Sequence, residues 1–573
     1  MQEWRVYSKK ADFEAIGRQY GIDPVVARII RNRDVIGDAA VDMYMKGTLA
    51  DLHSLHNMKD MDRAIEIISN AIHDSKPIRI IGDYDIDGIC SIYILFKGLI
   101  GLGADVDYEV PNRISDGYGI NENLIKQAYD DGRRVIITCD NGIAAISQIS
   151  YAKSLGMTVV VTDHHDVQFE DTDVGRKYLI PEADAVVDPK QPDCEYPFKS
   201  LCGAGIAYKF ICGMYEYAGK DINLTEEFIE IAAIATVGDV VDLQDENRII
   251  VKEGLRRIRN TSNYGLNALI MLTGVNKEMI SAYHIGFVIG PCLNASGRLD
   301  TAKRAVKMLL SQDRETAERY AGELKDLNDA RKKITIEAAA EAIQLIENST
   351  IKDDKVLVVY LPDCHESVAG IVAGKIREKY YKPAIVLTDS EEGIKGSARS
   401  IESYNIFEKL MECNDILTKF GGHPMAAGLS LEKGRLEELR IRLNSAHGMS
   451  DSDLVEKIWI DVPMPIEYIN EKVIKDLELL APFGKANEKP VFADRNLIIR
   501  SITEIGRHEK YTKMKLAKAN GTTIEAVGFF PPDELKRAYV DNKRISCTYY
   551  PEINEFMGNR KLQICITGYK ISE

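Results

Sequence analysis

Between about residues 76 and 250, four short apolar runs, "PIRIIGD", "RRVIITCD", "MTVVVTD" and "ADAVVDP", alternate with helix-like segments. Runs of this length that are apolar at successive positions suit strands buried on both faces, and β-α alternation implies a mostly parallel sheet covered by helices. Such a sheet presents its functional loops at the carboxyl ends of the strands. Three of the runs end in Asp83, Asp140 and Asp163, so on neighbouring parallel strands these carboxylates converge on one cleft.

The first acid opens "DYDIDG", which begins like an EF-hand loop. Position 12 of such a loop is a bidentate glutamate, whereas Ile94 stands there, and a strand rather than a helix precedes the acids. Calcium-loop chemistry is thereby excluded, leaving a strand, a tight turn at Gly88 and an apolar helix. Ten cysteines without a CxxC pair argue against zinc-finger and disulfide frameworks. No apolar segment reaches the roughly 18 residues of a membrane span, and "MQEWRVYSKKADFE" lacks a signal-peptide core, so a cytoplasmic protein is expected.

Four segments carry the chemistry: "GDYDIDG", "TCDNGIAA", "VTDHHD" and "ATVGDVVDL". They bring Asp163, His164 and His165 directly after a Val-rich strand and Asp239 near the end of an apolar helix. Carboxylates with imidazole and no thiolate suit Mn²⁺ or Mg²⁺ better than structural zinc. An aspartate shared by two ions lets them sit about 3.5–4 Å apart, as two-metal phosphoryl hydrolysis requires. Taken singly, each segment is also compatible with an acidic turn.

Residues 300–347 are Ala-, Leu-, Lys- and Glu-rich at helical spacing and predict a long connecting helix. A second α/β pattern follows, with "KVLVVYL" and "PAIVLTD" around "SVAGIVAGKIREKY". From "KIWIDV" onward, short strands separated by turn residues predict a barrel compatible with an OB-fold. The net charge of −15 is uneven: residues 455–573 hold 19 basic and 17 acidic residues, a balance of +2, which leaves −17 for the rest. Clustered acids of that kind need cations.

The four segments resemble the motifs of the DHH phosphoesterase superfamily. "GPCLNASGRLDTA", "HESVAGIVAGKIREKYYKPAIVL", "KGSARS", "FGGHPMAAG" and "LAPFGKANEKPVF" extend the likeness to its bacterial single-strand-specific exonuclease family. The resemblance implies an α/β fold with an N-terminal helical segment (1–60), a parallel-sheet DHH catalytic domain (61–299) and the connecting helix (300–347). A DHHA1 α/β domain (348–450) and a C-terminal OB-fold nucleic-acid-binding barrel (451–573) follow. It implies Asp83, Asp85, Asp140, His164 and Asp239 as ligands of two Mn²⁺ or Mg²⁺ ions, with Asp140 bridging. His165 would contact the scissile phosphate, and Asp87 and Asp163 would orient ligands. Arg298, Ser397, Arg399 and His423, with His365 as a further candidate, would bind the 5′ end of the substrate. Arg507, Lys510, Tyr511, Lys513 and Lys515 would guide the strand along the barrel.

Family members often carry His two residues before the first aspartate and Arg after "GP", where this chain has Ile81 and Cys292. The implied activity is two-metal 5′→3′ hydrolysis of single-stranded DNA to 5′-mononucleotides in DNA repair and recombination. A monomer served by a helicase and a single-strand-binding protein is expected, with no membrane partner. Two alternatives stay open on sequence: a small-substrate phosphodiesterase of the same superfamily acting on oligoribonucleotides or cyclic dinucleotides, and a non-catalytic replication scaffold.

Overall fold

The computed structural model describes residues 2–113, 117–172, 175–390, 393–505, 511–556 and 558–572. Its first sheet has five parallel strands in the spatial order Val106–Glu109, Ile78–Ile81, Val135–Cys139, Thr158–Thr162 and Ala185–Val187. In chain order this is 2-1-3-4-5, which places the topological switch point between Ile78–Ile81 and Val135–Cys139. A ligand crevice opens at that point, outside the strand ends. Every residue of those two strands is buried, as continuous apolar runs require when helices cover both faces.

The helix Ile86–Gly101 crosses one face of the sheet and packs with Gly203–Tyr217 and Ile229–Gly238 in the largest core of the molecule. The other face carries Glu122–Asp130 and Ile146–Ser154. The expected connecting helix is a continuous helix over Arg314–Glu347, about 51 Å long at 1.5 Å per residue, preceded by a separate short helix, Lys303–Leu309. Asp313 caps the long helix by accepting from the Thr316 amide, which fixes its start later than composition suggested.

The last turns of that helix pack, through Ala338, Ala342 and Ile346, beneath a second five-stranded sheet. This sheet runs Leu417–His423, Ala426–Leu431, Gly393–Arg399, Ala384–Ser390 and Leu357–Tyr360, antiparallel except for the last pair. Phe492–Ile505, Tyr511–Ala517, Thr523–Gly528, Asn559–Ile571 and Arg544–Phe556 close into a barrel in that order.

The N-terminal expectation needs correction. The chain begins with the strand Gln2–Val6, paired in parallel with Glu456–Ile460, so "KIWIDV" joins this two-stranded ribbon and not the barrel. The helices Phe13–Tyr20, Pro24–Asn32 and Asp38–Lys46 follow, and their apolar sides share one core with the barrel. Arg33 and Asp461, both nearly fully buried, form a two-pronged ion pair beneath this junction, with the Asn32 amide donating to the same carboxylate. Among the described residues, no helix is long and apolar enough to cross a membrane.

Candidate metal centre and phosphate cleft

Asp83 and Asp140 leave the two strands that flank the switch point, and Asp163 leaves the next strand. Asp85 caps the helix Ile86–Gly101, accepting from the amides of Asp87 and Gly88 at 3.0 and 3.1 Å. Gly88 is required there because a Cβ would lie 2.4 Å from the Asp83 carbonyl oxygen. Asp239 is the C-terminal cap of Ile229–Gly238. Asn141, buried in the "DNG" turn, donates to the carbonyls of Ile81 and Cys139 and accepts from Ile120, which ties the two strand ends together.

Three groups of potential ligands result, each with its donor atoms within 4.8 Å: Asp83, Asp85 and Asp140; Asp87, His164 and Asp239; and Asp140, His164 and His165. His164 Nε2 is 3.0 Å from Asp140 Oδ1, 3.5 Å from Asp87 Oδ2 and 3.8 Å from Asp239 Oδ2. Burial, followed by the charge of Asp85, holds the Asp83 carboxyl well above its usual range, and one of its buried oxygens has no hydrogen-bond partner. Burial and the neighbouring acids raise Asp140 in the same sense. Asp87 and Asp239 are each pushed up to about 7, by burial first and then by a neighbouring carboxylate. Burial and the adjacent His165 lower His164, leaving a neutral imidazole available as a ligand. A divalent cation fits this donor set, because carboxylate oxygens and one imidazole, crowded out of water without a balancing charge, are what Mn²⁺ or Mg²⁺ neutralises.

Asp87 and Asp163 hold other groups in place. Asp87 is fully buried and accepts from the amides of Gly203 and Ala204 at 2.6 and 2.7 Å, buried N–H groups in the first turn of a helix that have no acceptor within it. Asp163 Oδ1 accepts from His164 N and His165 Nδ1, both at 2.7 Å, and Oδ2 accepts from Ile143 N at 2.9 Å. Burial pushes Asp163 up, but the hydrogen bond and charge of His165 bring it below the usual carboxylate range. Burial alone would lower His165; its bond to Asp163 and the surrounding acids raise it to about 9.

Across the cleft, Arg298 donates to the Ser367 carbonyl, and burial together with Arg113, Arg331 and Arg399 lowers it to about 10. Burial and the same Arg113 lower Arg399. Ser397 lines a cavity of about 420 Å³ with Tyr84, Arg113, Lys395 and Lys419, at the meeting of the two sheets. His423 ends its strand exposed, with Asp166 in electrostatic reach. His365 caps the helix Glu366–Tyr380 through Nδ1, which accepts from Ser367 N. Ile81 is a core strand residue, and Cys292 is buried against the Asn328 amide, whose oxygen accepts from Arg331. On the barrel, Tyr511 is exposed beside Phe529, and Lys513 is paired with Glu525. Arg507 and Lys510 lie outside the described residues.

Three participants escaped sequence reasoning. Asp188 closes the fourth strand run, "ADAVVDP", with the same strand-end signal as the other acids, and burial with the charge of Asp163 raises it to about 8. Gly203 and Tyr118, by contrast, enter the site through tertiary contacts that carry no local pattern.

Family models match three stretches of the chain: the DHH family N-terminal domain over residues 77–236, the DHHA1 domain over 353–447 and the RecJ OB domain over 460–568. The single-stranded-DNA-specific exonuclease RecJ of Bacillus subtilis is 36% identical over 100% of this chain and 71% of its own length. The Salmonella typhimurium protein of the same name is 32% identical over 99% of both chains. A crystal structure of Thermus thermophilus RecJ in complex with Mn²⁺ superposes with a TM-score of 0.83 at 25% identity, covering 100% of this chain and 80% of that one. Identity at this level along the full length, together with the three family models and a shared architecture, means that the chain belongs to the RecJ family.

Proposed function

We propose that this chain is a metal-dependent exonuclease that degrades single-stranded DNA from its 5′ end and releases 5′-mononucleotides. The observation that carries the reading is the convergence of strand-end acids with His164 at the switch point of the parallel sheet, facing Arg298 and Arg399 across one cleft. Asp83, Asp85, Asp140, His164 and Asp239 would hold two divalent cations, Mn²⁺ or Mg²⁺, with Asp140 as the ligand common to both. Bound there, the cations supply Lewis-acid stabilisation of phosphate charge and the acidity that a nucleophile needs at neutral pH.

The protein performs the rest through its own side chains. Asp87 and Asp163 keep the ligand-bearing loops in place through their amide contacts. His165, with Nδ1 donating to Asp163, directs its Nε2–H toward a scissile phosphate oxygen and stabilises the charge that develops there. Arg298, Ser397, Arg399 and His423 receive the terminal phosphate, and holding that end sets the polarity. The barrel guides the single strand through aromatic and basic groups such as Tyr511, Lys513 and Lys515. One chain contains both walls of the cleft, so a monomer suffices, working on strands opened by a helicase and covered by a single-strand-binding protein.

The test is digestion of an oligonucleotide labelled at either end, with Mn²⁺, with EDTA and with Asp140→Ala. Early release of the 5′ label as mononucleotide, lost in the EDTA and mutant reactions, is expected. Binding without cleavage in every lane overturns the reading.

A further inference from the structure

The strand Gly393–Arg399 turns Lys395, Ser397 and Arg399 to one face of the second sheet, because successive side chains alternate. Antiparallel pairing sets Ser397 beside Gly428 and Gly421, and Lys395 beside Ser430 and Lys419, so two rows cross three strands about 7 Å apart. The rows floor the cavity of about 420 Å³, and the first turn of Glu366–Tyr380 forms a wall. A Cβ at Gly421 or Gly428 would meet no atom within 4 Å, so these glycines leave the floor beside Ser397 open. In the other row, Lys395 pairs with Glu366 at 3.1 Å, and Lys419 is exposed with no carboxylate partner among the described residues.

Ser397 and Arg399 receive the terminal phosphate in the proposed function, which leaves the lysine row unused. Arg113 lines the same cavity within electrostatic reach of Arg298 and Arg399. With Lys395 and Lys419 they make five cationic groups, and Glu366 is the only carboxylate among the described lining residues. A terminal monoester brings about two negative charges at neutral pH and leaves about two of these cations unmatched. Two further phosphates in anhydride linkage bring about two more charges, which matches the excess.

We propose that the cavity seats a 5′-triphosphate, with the α-phosphate on the row of Ser397 and the β- and γ-phosphates on Lys395 and Lys419. The inference rests on the proposed function and extends its substrate class to strands that keep the triphosphate of their first nucleotide. Cleavage stays where that function puts it. Water adds to the phosphorus between the first and second nucleotides, the bond to the 3′ oxygen breaks, and that oxygen leaves with a proton from the water. The first product is therefore an intact nucleoside 5′-triphosphate, and the shortened strand carries an ordinary 5′-monophosphate.

The experiment uses the full chain in Mn²⁺ and two oligodeoxynucleotides of one sequence, one with a 5′-monophosphate and one with a 5′-triphosphate labelled in its γ-phosphate. The triphosphate strand is expected to show a KM no higher than the monophosphate strand, with the label leaving as nucleoside triphosphate. Replacing both lysines, Lys395→Gln with Lys419→Gln, should raise the ratio of triphosphate to monophosphate KM about tenfold. Glu366→Gln removes the competing carboxylate and should lower the same ratio; a purely structural role for these side chains would move neither. Refusal of the triphosphate strand by a chain that cleaves the monophosphate strand overturns the proposal. So does label released as inorganic phosphate or pyrophosphate, a ratio that the lysine substitutions leave within about twofold, or one that Glu366→Gln raises. Absence of cleavage of both strands by the unsubstituted chain overturns the function and this assignment together, and is thus distinguishable from failure of the triphosphate seat alone.

Discussion

Asp163→Asn changes one atom of a fully buried carboxylate that serves three amides and an imidazole. Oδ1 accepts from His164 N, His165 N and His165 Nδ1 at 2.7, 3.3 and 2.7 Å, and Oδ2 accepts from Ile143 N at 2.9 Å. An amide retains one acceptor. With its oxygen toward the histidines, its NH₂ faces the Ile143 N–H and leaves that donor unsatisfied, at a cost of about 1–3 kcal/mol. The two short bonds to the histidines lose charge assistance, roughly 1 kcal/mol each. Removing a buried charge acts in the opposite direction. Because Asp163 is held below the usual carboxylate range despite complete burial, the ionised form is favoured on balance by the fold.

The expected loss is therefore about 3–5 kcal/mol, large against the 5–15 kcal/mol of an ordinary domain. The sign with pH follows from both partners. The lowered pKa of Asp163 makes its contribution complete above the ordinary aspartate range and lost on acidification. The raised pKa of His165 makes its contribution complete below the ordinary histidine range and lost as pH rises through about 9. Urea unfolding of wild type and Asp163→Asn at pH 6 should show the full gap, and at pH 9.5 a smaller one. A difference below about 1 kcal/mol at pH 6, or a gap that widens toward pH 9.5, would refute the reasoning.

Gly203→Ala places a Cβ 2.8 Å from that of Asp140 and 3.2 Å from Asp87 Oδ2, and overpacking of this kind costs about 1–3 kcal/mol. Calorimetry should show Mn²⁺ affinity reduced by about tenfold or more, and wild-type affinity would count against the geometry. Arg248→Ala removes a buried guanidinium that donates to the carbonyls of Tyr44, Leu479 and Leu480. About 3–5 kcal/mol should be lost, with the barrel cut by protease before the parallel-sheet domain; simultaneous cleavage of both would contradict this. Arg399→Ala should raise KM about tenfold for a 5′-phosphorylated strand and little for a 5′-hydroxyl strand, as measured by comparing the two substrates. Mn²⁺ at 100 times its Kd should stabilise the parallel-sheet domain by about 2.7 kcal/mol, read as a Tm increase that EDTA abolishes.

The centre of the candidate site could be read from sequence because its acids stand at strand ends, and apolar runs mark strand ends. Asp83, Asp140 and Asp163 each close such a run, and the "DHH" follows the third directly. Asp188 carried the same signal. What escaped reading depends on groups brought together by folding: the amides of Gly203 and Ala204 reach Asp87 across 116 and 117 residues, and Tyr118 reaches His165 across 47. The barrel strands were legible by their alternation and turns. The pairing of Gln2–Val6 with Glu456–Ile460 was not, because a parallel partner 454 residues away leaves no local trace. Helical spacing gave the long helix but not its start, which a single capping aspartate decides.

That ribbon also sets a timetable for synthesis. At 5–20 residues per second, Glu456 is polymerised roughly 20–90 s after Gln2, and until then the first strand has no partner and the three N-terminal helices lack the barrel core that receives their apolar sides. The parallel-sheet domain, complete much earlier, folds while this tail waits. An unpaired edge followed by amphipathic helices is open to aggregation over such an interval. A nascent chain halted near residue 450 should therefore hold a folded catalytic sheet and an N-terminal tail accessible to chaperones, and one extended through the barrel should have that tail withdrawn into the native core.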